Sequence, residues 1–423
     1  METSPEVDCA VDLGLDSTRA RYDRTPYRDE VFAGLEVGRL LGLARLLGLG
    51  PDSQEDIRVL DLGCASGRHI RDQAARYPDV HFTGLDFSAA ELATGRQAVQ
   101  DAGLRNVDLV EANFLDADVD AGAYDIVLCH GTYSWVPDEV KNRIFELSRK
   151  ALKPTGVAAV VYLTYPGWKQ REAIRELLNM RVARIENPDQ QVRESALLLR
   201  LLKAGYSARP DDPHSASLLA LVERMQASAS NVFLHDELGR DHDPCYFLQF
   251  VEWADECGLQ YISETDLGSM TALALPEEAG PVLGELSPSF LETQQIIDFV
   301  VDRSGRSSLL ASKETLHLRQ LSESSLKELQ FRVPLLEGSE LESLGDDATR
   351  FKSTHGYPLK VQGESEVKLV QHLVQSPESL SMAALDDFIR SESAPQESIG
   401  SLLLRLLRGS AIDPHYPLAT ARR

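Results

Sequence analysis

The chain has 423 residues, 43% of them hydrophobic and 26% charged, with a formal net charge of −23; it is long enough for two or three domains and ordinary in balance for a soluble globular protein. The acidity argues against non-specific binding to DNA or RNA, which rests on basic surface, and favours either a cationic partner or plain solubility. No apolar run approaches the roughly 20 residues that span a bilayer, the acidic start METSPEVDCAVDLGLD has no secretory h-region, and five scattered cysteines without a CxxC pair read as reduced thiols of a cytoplasmic protein.

In chain order, residues 30–50 read as an amphipathic helix ending at glycine. RVLDLG is a strand with a glycine turn, SGRHIRDQAARY a helix, and VHFTGLDF a second strand. Ser88 and Glu91 form a capping-box pattern at the start of the next helix. VDLVEANF and YDIVLCHG are the third and fourth strands, DEVKNRIFELSRKAL a helix, and GVAAVVYLTY the fifth strand. This alternation predicts an α/β fold with a doubly wound, mostly parallel sheet. From about 170 to 230 the pattern is helical, and from about 232 to 270 strand-like and helical pieces mix. A Pro- and Ser-bearing stretch near 276–289 reads as a hinge or loop, TQQIIDFVVDR as a helix, and TLHLRQL and ELQFRVPLL as strands. A Gly/Ser/Asp-rich piece at 337–347 marks a boundary before three short helices.

The first turn, VLDLGCASG, places Asp61, Gly63, Ala65 and Gly67 after the first strand. Gly63 permits a tight turn, and Gly67 lets the following helix begin close to a ligand. An NAD site of the Rossmann type has three glycines here, wrapped around a pyrophosphate. An acid at the turn instead suits S-adenosylmethionine (SAM), which carries a sulfonium and an ammonium. Asp86, with Phe87 beside it, ends the second strand, where its carboxylate can accept both ribose hydroxyls. Asn113 and Phe114 end the third strand, suited to the adenine amino group and ring. Singly, each polar residue also has a bland reading as a turn former or cap; together, at the carboxyl ends of successive strands, they point to the cofactor.

The stretch from about 20 to 165 resembles class I SAM-dependent methyltransferases. HGTYSWVP (130–137), YLTYPGW and FLHDELGRDHDPCYFLQFVEWADECGLQYISE resemble the bacterial branch that carries a methyltransferase regulatory domain. That branch includes protein-lysine methyltransferases of an outer-membrane surface protein. The resemblance implies that Tyr22 and Tyr27, in RYDRTPYRDEVF, close over the cofactor. It also implies a winged-helix-like module over the last 70 or so residues. Four positions depart from the family pattern: Ala65 and Thr155 replace glycines, Leu163 an asparagine, and Gly305 an aromatic in what is read as a helix.

With the fourth strand ending near Cys129, His130 is expected beside the methionine part of the cofactor. Tyr133 and Trp135 are expected at the pocket mouth, with Tyr165 and Trp168 on the same rim as substrate-binding rings. His130, Tyr133 and Trp135 are the catalytic candidates: aromatic rings attract cations and exclude water, and His130 or a tyrosine hydroxyl can orient an amine or take its proton. The packing alternative for Trp135 and Trp168 is that they anchor domains. HDELGRDHD lacks HExxH spacing and paired thiols and reads as the start of helices or a polar loop, so no metal is expected.

The expected organisation is a cofactor-capping segment (1–29), a SAM-binding catalytic domain (30–168), a mostly helical regulatory domain that selects substrate (169–345) and a winged-helix-like module (346–423). The expected acceptor is a lysine of a basic protein or peptide. The alternatives are O-, N- or carboxyl-methylation of a peptide or small natural product, or a SAM-binding scaffold without turnover. No nucleic-acid or membrane partner is expected; the C-terminal module is read as contacting protein or a second copy of the chain, giving a homodimer.

Overall fold

The computed structural model of the chain describes residues 30–239, 241–271, 275, 278–318, 320–345, 347–355, 358–392 and 397–421. The expected capping segment, with Tyr22 and Tyr27, lies outside the described residues.

The first half alternates as anticipated. Helix α1 (Val37–Leu46) is followed by β1 (Ile57–Leu62), α2 (Arg68–Arg76), β2 (Val80–Asp86), α3 (Ala89–Asp101), β3 (Val107–Glu111), β4 (Tyr124–Cys129), α4 (Asp138–Ala151) and β5 (Leu152–Leu163). β1 and β4 are buried almost throughout, because helices cover both faces of a parallel sheet. Period-two alternation still sorts their side chains. Ile57, Val59, Ile126 and Leu128 pack with α1 and α2 on one face; Leu60, Leu62, Val127 and Cys129 pack with α4 on the other. Ser88 caps α3, its hydroxyl accepting the Glu91 N–H at 3.3 Å. The Ser88 N–H donates to Asp86 Oδ1 at 2.9 Å, which ties the helix start to the end of β2.

The chain continues through α5 (Lys169–Val182), α6 (Pro188–Ser207), α7 (Pro213–Ala227) and α8 (Ser230–Asp236), which share a core of Leu178, Leu199, Val222 and Phe233. Then come α9 (Phe247–Glu256), β6 (Leu259–Glu264), α10 (Ala279–Leu286), α11 (Phe290–Val300) and β7 (Gly305–Ser312). α9 packs Phe247 and Phe250 into the α4 side of the sheet.

The sheet runs β3-β2-β1-β4-β5-β7-β6. Its five-stranded parallel part is extended by β7, antiparallel to β5, and then β6, antiparallel to β7. Both added strands come from beyond residue 168, so the sheet crosses the boundary expected there. Three local readings are corrected. Gly305 opens β7 rather than lying in a helix, because the exposed edge of β5 supplies a partner (Leu163↔Gly305 to Ala158↔Leu310). Residues 279–286, read as hinge or loop, form α10. TLHLRQL forms no strand among its described residues; Leu316 is exposed, and the Leu318 N–H donates to Leu47 O at 2.8 Å instead of to a sheet edge.

The remainder comprises β8 (Gln330–Arg332), β9 (Glu342–Gly345), β10 (Ala348–Lys352), β11 (Pro358–Gln362), α12 (Glu364–Gln375), β12 (Leu380–Ser381), α13 (Met382–Glu392), α14 (Ile399–Arg408) and β13 (Asp413–His415). It makes two small sheets, β11-β10-β9 and β12-β8-β13, and a core around Phe331, Leu369, Leu385 and Leu403. Among the described residues, no helix is long and apolar enough to cross a membrane.

Candidate active site

A cavity of about 540 Å³ opens at the carboxyl ends of β1–β4, the edge where open α/β sheets bind ligands. Gly63, Ala65, Asp86, Phe87, Asn113 and Phe114 line one part, and His130 and Trp135 another. Eight of the site residues expected from sequence are thereby brought together.

The glycine turn is forced by crowding. Gly63 has φ +84°, and a Cβ there would stand 2.1 Å from Thr132 Oγ1. Gly67, at φ +70°, precedes α2, and a Cβ would meet Leu109 Cδ2 at 2.7 Å. Ala65 adopts φ +48°, a left-handed conformation that costs an L-residue roughly 1–2 kcal/mol. Its N–H donates to Asp86 Oδ2 at 2.8 Å, which helps hold it there. Asp86 thus pins both the turn and the start of α3 while facing the cavity. Asn113 Oδ1 accepts the Leu115 N–H at 3.1 Å, so this side chain also shapes its own turn.

Asp61, near the end of β1, is not on the cavity lining but buried at 0% exposure, and neither of its oxygens has a hydrogen-bond partner among the described residues. Burial, and then the charge of Asp86, pushes its carboxyl up to about 8. His130 Nε2 is 3.8 Å from Asp61 Oδ2, beyond hydrogen-bonding reach, and is likewise without a partner among the described residues. Burial, and then His69, pushes His130 down to about 3, so its ring is neutral. Phe32 covers this pair: its ring centroid is 4.5 Å from that of His130, and its N–H donates to His69 Nδ1 at 3.3 Å. A buried carboxylate without a partner is unfavourable until a cation reaches it. The sulfonium and ammonium of SAM supply that charge, so the residues present fit the cofactor.

Three expected rings do not reach the cavity. The helical turn at 133–135 sends Tyr133 and Trp135 in different directions. Tyr133 is 1% exposed and packs among Phe145, Tyr162 and Phe250, and burial raises its hydroxyl well above the ordinary tyrosine range. It is a core residue and neither a base nor a substrate contact. Tyr165 packs against Tyr246, with the Lys169 ammonium 3.4 Å from its ring centroid, and its hydroxyl donates to Glu172. Trp168 is buried, donating from Nε1 to Ser304 O at 2.7 Å. Its ring lies 4.6 Å from His242, which in turn lies 5.1 Å from Trp135. Trp168 therefore anchors packing, and Trp135 is the end of that aromatic row that borders the cavity.

Part of the lining is one that sequence reasoning set aside. His235, Asp236 and Asp241 of the HDELGRDHD run line the cavity. The segment after them is clamped to the turn after β4, where the Asp243 N–H donates to Ser134 O at 2.9 Å, and to the end of β5, where Thr164 Oγ1 donates to Cys245 O at 2.7 Å. The density of acid and imidazole in that run was its only signal. Among the described residues, Glu30, Asp86, Glu91 and Glu111 are also on the lining, against Arg68 alone among lysines and arginines, so this lining favours cations.

Comparison with known proteins agrees with this geometry. A family model described as "Methyltransferase domain" matches residues 59–156, and one described as "Predicted methyltransferase regulatory domain" matches residues 229–312. The chain is 31% identical over 240 residues to the uncharacterized protein RP028 of Rickettsia prowazekii, covering 57% of this chain and 96% of that one. It is 28% identical over 306 residues to RP789 of the same organism, covering 72% of this chain but 55% of the relative's length. Among solved structures, PKMT2 from Rickettsia typhi in complex with AdoHcy superposes with a TM-score of 0.74 at 24% identity, covering 93% of this chain and 78% of that one, a likeness of fold. The protein is a class I SAM-dependent methyltransferase. It belongs to the same family as RP028, and in this chain the match to a methyltransferase domain is followed by the match to a methyltransferase regulatory domain.

Proposed function

We propose that the enzyme methylates an amine nitrogen, and that the acceptor is a lysine of a basic protein or peptide. The observation that carries this reading is that Trp135, Asp236 and Asp241 line the same cavity as the glycine turn. Carboxylates attract an ammonium by steering, and a Trp face adds roughly 0.5–2 kcal/mol. The resemblance to protein-lysine methyltransferases supports the same choice.

SAM, when bound, supplies an electrophilic methyl group on a good leaving group. The chain's task is then alignment and desolvation. Phe32 and Trp135 exclude water. Asp61 meets the positive charge of the cofactor. His130, held neutral, can accept an N–H from the acceptor without adding charge to the cavity. His235, Asp236 and Asp241 come from the regulatory segment, which therefore selects the acceptor. The C-terminal helices are read as a winged-helix-like module that contacts protein, consistent with the acidic charge and with a cytosolic enzyme carrying reduced thiols.

The test is peptide mapping after incubating the protein with SAM and a lysate of its host, with Asp86→Ala as control. New methyl groups on particular lysines support the reading. Cofactor turnover without methylated protein rejects it and points to a small-molecule acceptor.

A further inference from the structure

The geometry points to a second role for the C-terminal strand: β13 positions the segment that covers the cofactor, so that the C-terminal module sets cofactor affinity. This rests on the SAM cavity and is independent of which acceptor is methylated.

The cover is residues 30–36. Glu30 and Phe32 line the cavity, and Phe32 lies over His130. Behind them, the segment hangs from two buried side chains of the α1 start. Arg39 Nη1 donates to Gly34 O at 2.8 Å, and Glu36 caps α1 by accepting the Arg39 N–H at 2.9 Å. Gln73 of α2 adds bonds to Leu35 O (3.2 Å) and from the Val37 N–H (2.7 Å).

Both of these side chains are shared with β13, more than 370 residues away. Arg39 Nε lies 2.9 Å from Asp413 Oδ2, and His415 Nδ1 lies 3.2 Å from Glu36 Oε2; all four side chains are nearly inaccessible. The Tyr416 N–H donates to Gly38 O at 2.8 Å. Close approach is possible because position 42 is glycine: a Cβ there would stand 2.5 Å from Pro414 O. β13 is itself a strand of the sheet β12-β8-β13, bonded to the C-terminal core. Arg39 is also tied to Thr265 O at 2.6 Å, and Glu36 accepts from the Tyr77 hydroxyl; if β13 leaves, Arg39 loses its carboxylate partner and Glu36 its imidazole partner, which loosens the hold of Arg39 on the Gly34 carbonyl. They are positioning residues that act through Phe32.

Two measurements test this without an acceptor. Coupling of this kind is reciprocal and typically about 5- to 150-fold. In the unaltered protein, S-adenosylhomocysteine should slow hydrogen exchange at the Tyr416 amide, and no slowing overturns the proposal. In calorimetry, Asp413→Ala should weaken S-adenosylhomocysteine binding about tenfold, and Asp413→Asn, which keeps an oxygen facing Arg39, should recover part of the loss. The control is Leu403→Ala, which loosens the C-terminal core without touching Arg39 or Glu36. It should lower the melting temperature and leave the affinity within about twofold. An unchanged affinity in folded Asp413→Ala, or an equal loss in Leu403→Ala at matched melting temperature, overturns the proposal.

Discussion

Asp61 Oδ2 and His130 Nε2 face each other across 3.8 Å at the carboxyl ends of neighbouring strands, both buried and both without a hydrogen-bond partner among the described residues. Parity places them there: residue 61 follows 57 and 59, and residue 130 follows 126 and 128, onto the face covered by α1 and α2. Two polar groups are thus held apart in an apolar setting, one carboxyl pushed up to about 8 and one imidazole pushed down to about 3. The site is arranged to receive positive charge rather than to hold its own.

Cofactor binding should release a proton. Below about 8 the Asp61 carboxyl is mostly neutral in the free protein, and a bound cation favours its carboxylate. Affinity for SAM should therefore rise with pH, by at most about tenfold per pH unit, and level off near pH 8. Calorimetry in two buffers of different ionisation enthalpy reads the proton directly. Asp61→Asn should bind weakly and without this slope; an unaltered slope in that variant removes Asp61 from the site.

The same residue should destabilise the ligand-free fold in alkali. Its folded-state value lies above the ordinary carboxyl value near 4, so the folded protein holds the proton more tightly than the unfolded chain. That stabilising contribution is fully present below about pH 4 and is lost as pH rises through about 8. Asp61→Asn should melt higher than the parent at pH 9, by an amount on the order of a few kcal/mol, with a smaller gain at pH 5. Equal gains at both values would contradict a titrating Asp61.

Asp86→Ala should abolish measurable binding of SAM. Its two oxygens hold the Ala65 and Ser88 N–H groups as well as facing the cavity. Charge-assisted bonds contribute about 1.5–3 kcal/mol each, so a loss of at least about a hundredfold is expected. Unchanged affinity would mean that the ribose does not sit at the end of β2.

Tyr133 and Trp135, two residues apart, should behave oppositely. Tyr133→Ala removes a core ring and should cost about 3–5 kcal/mol of stability, with the folded fraction still active. Trp135→Ala, at the cavity wall, should lower turnover or acceptor affinity far more than the melting temperature. Denaturant titration set beside steady-state kinetics separates the two, and matching profiles would return Trp135 to a packing role.

The fold's first five strands, the glycine turn and the cap at Ser88 were legible because each depends on neighbours in sequence. A run such as IVLC is apolar enough to be buried on both faces wherever it goes, and Gly63 and Gly67 are needed for turns that close within a few residues. These same strand ends and turns bring Asp86, Asn113 and His130 to the lining of one cavity. β7 was not legible, because GRSSLLAS has no periodic pattern of its own and becomes a strand only where the edge of β5 is open to it.

The sequence by itself determined the cofactor's half of this protein: strand ends in a parallel sheet converge on one edge, and local turn chemistry puts an acid and glycines there. Tertiary structure alone decided which later side chains reach the cavity. It turned Tyr133 into the core and Trp135 toward the cavity, carried Asp236 and Asp241 to its lining, and brought Asp413 and His415 to Arg39 and Glu36. Those placements depend on contacts between residues tens to hundreds of positions apart, where burial and charge pairing act on the folded surface and leave no period in the chain.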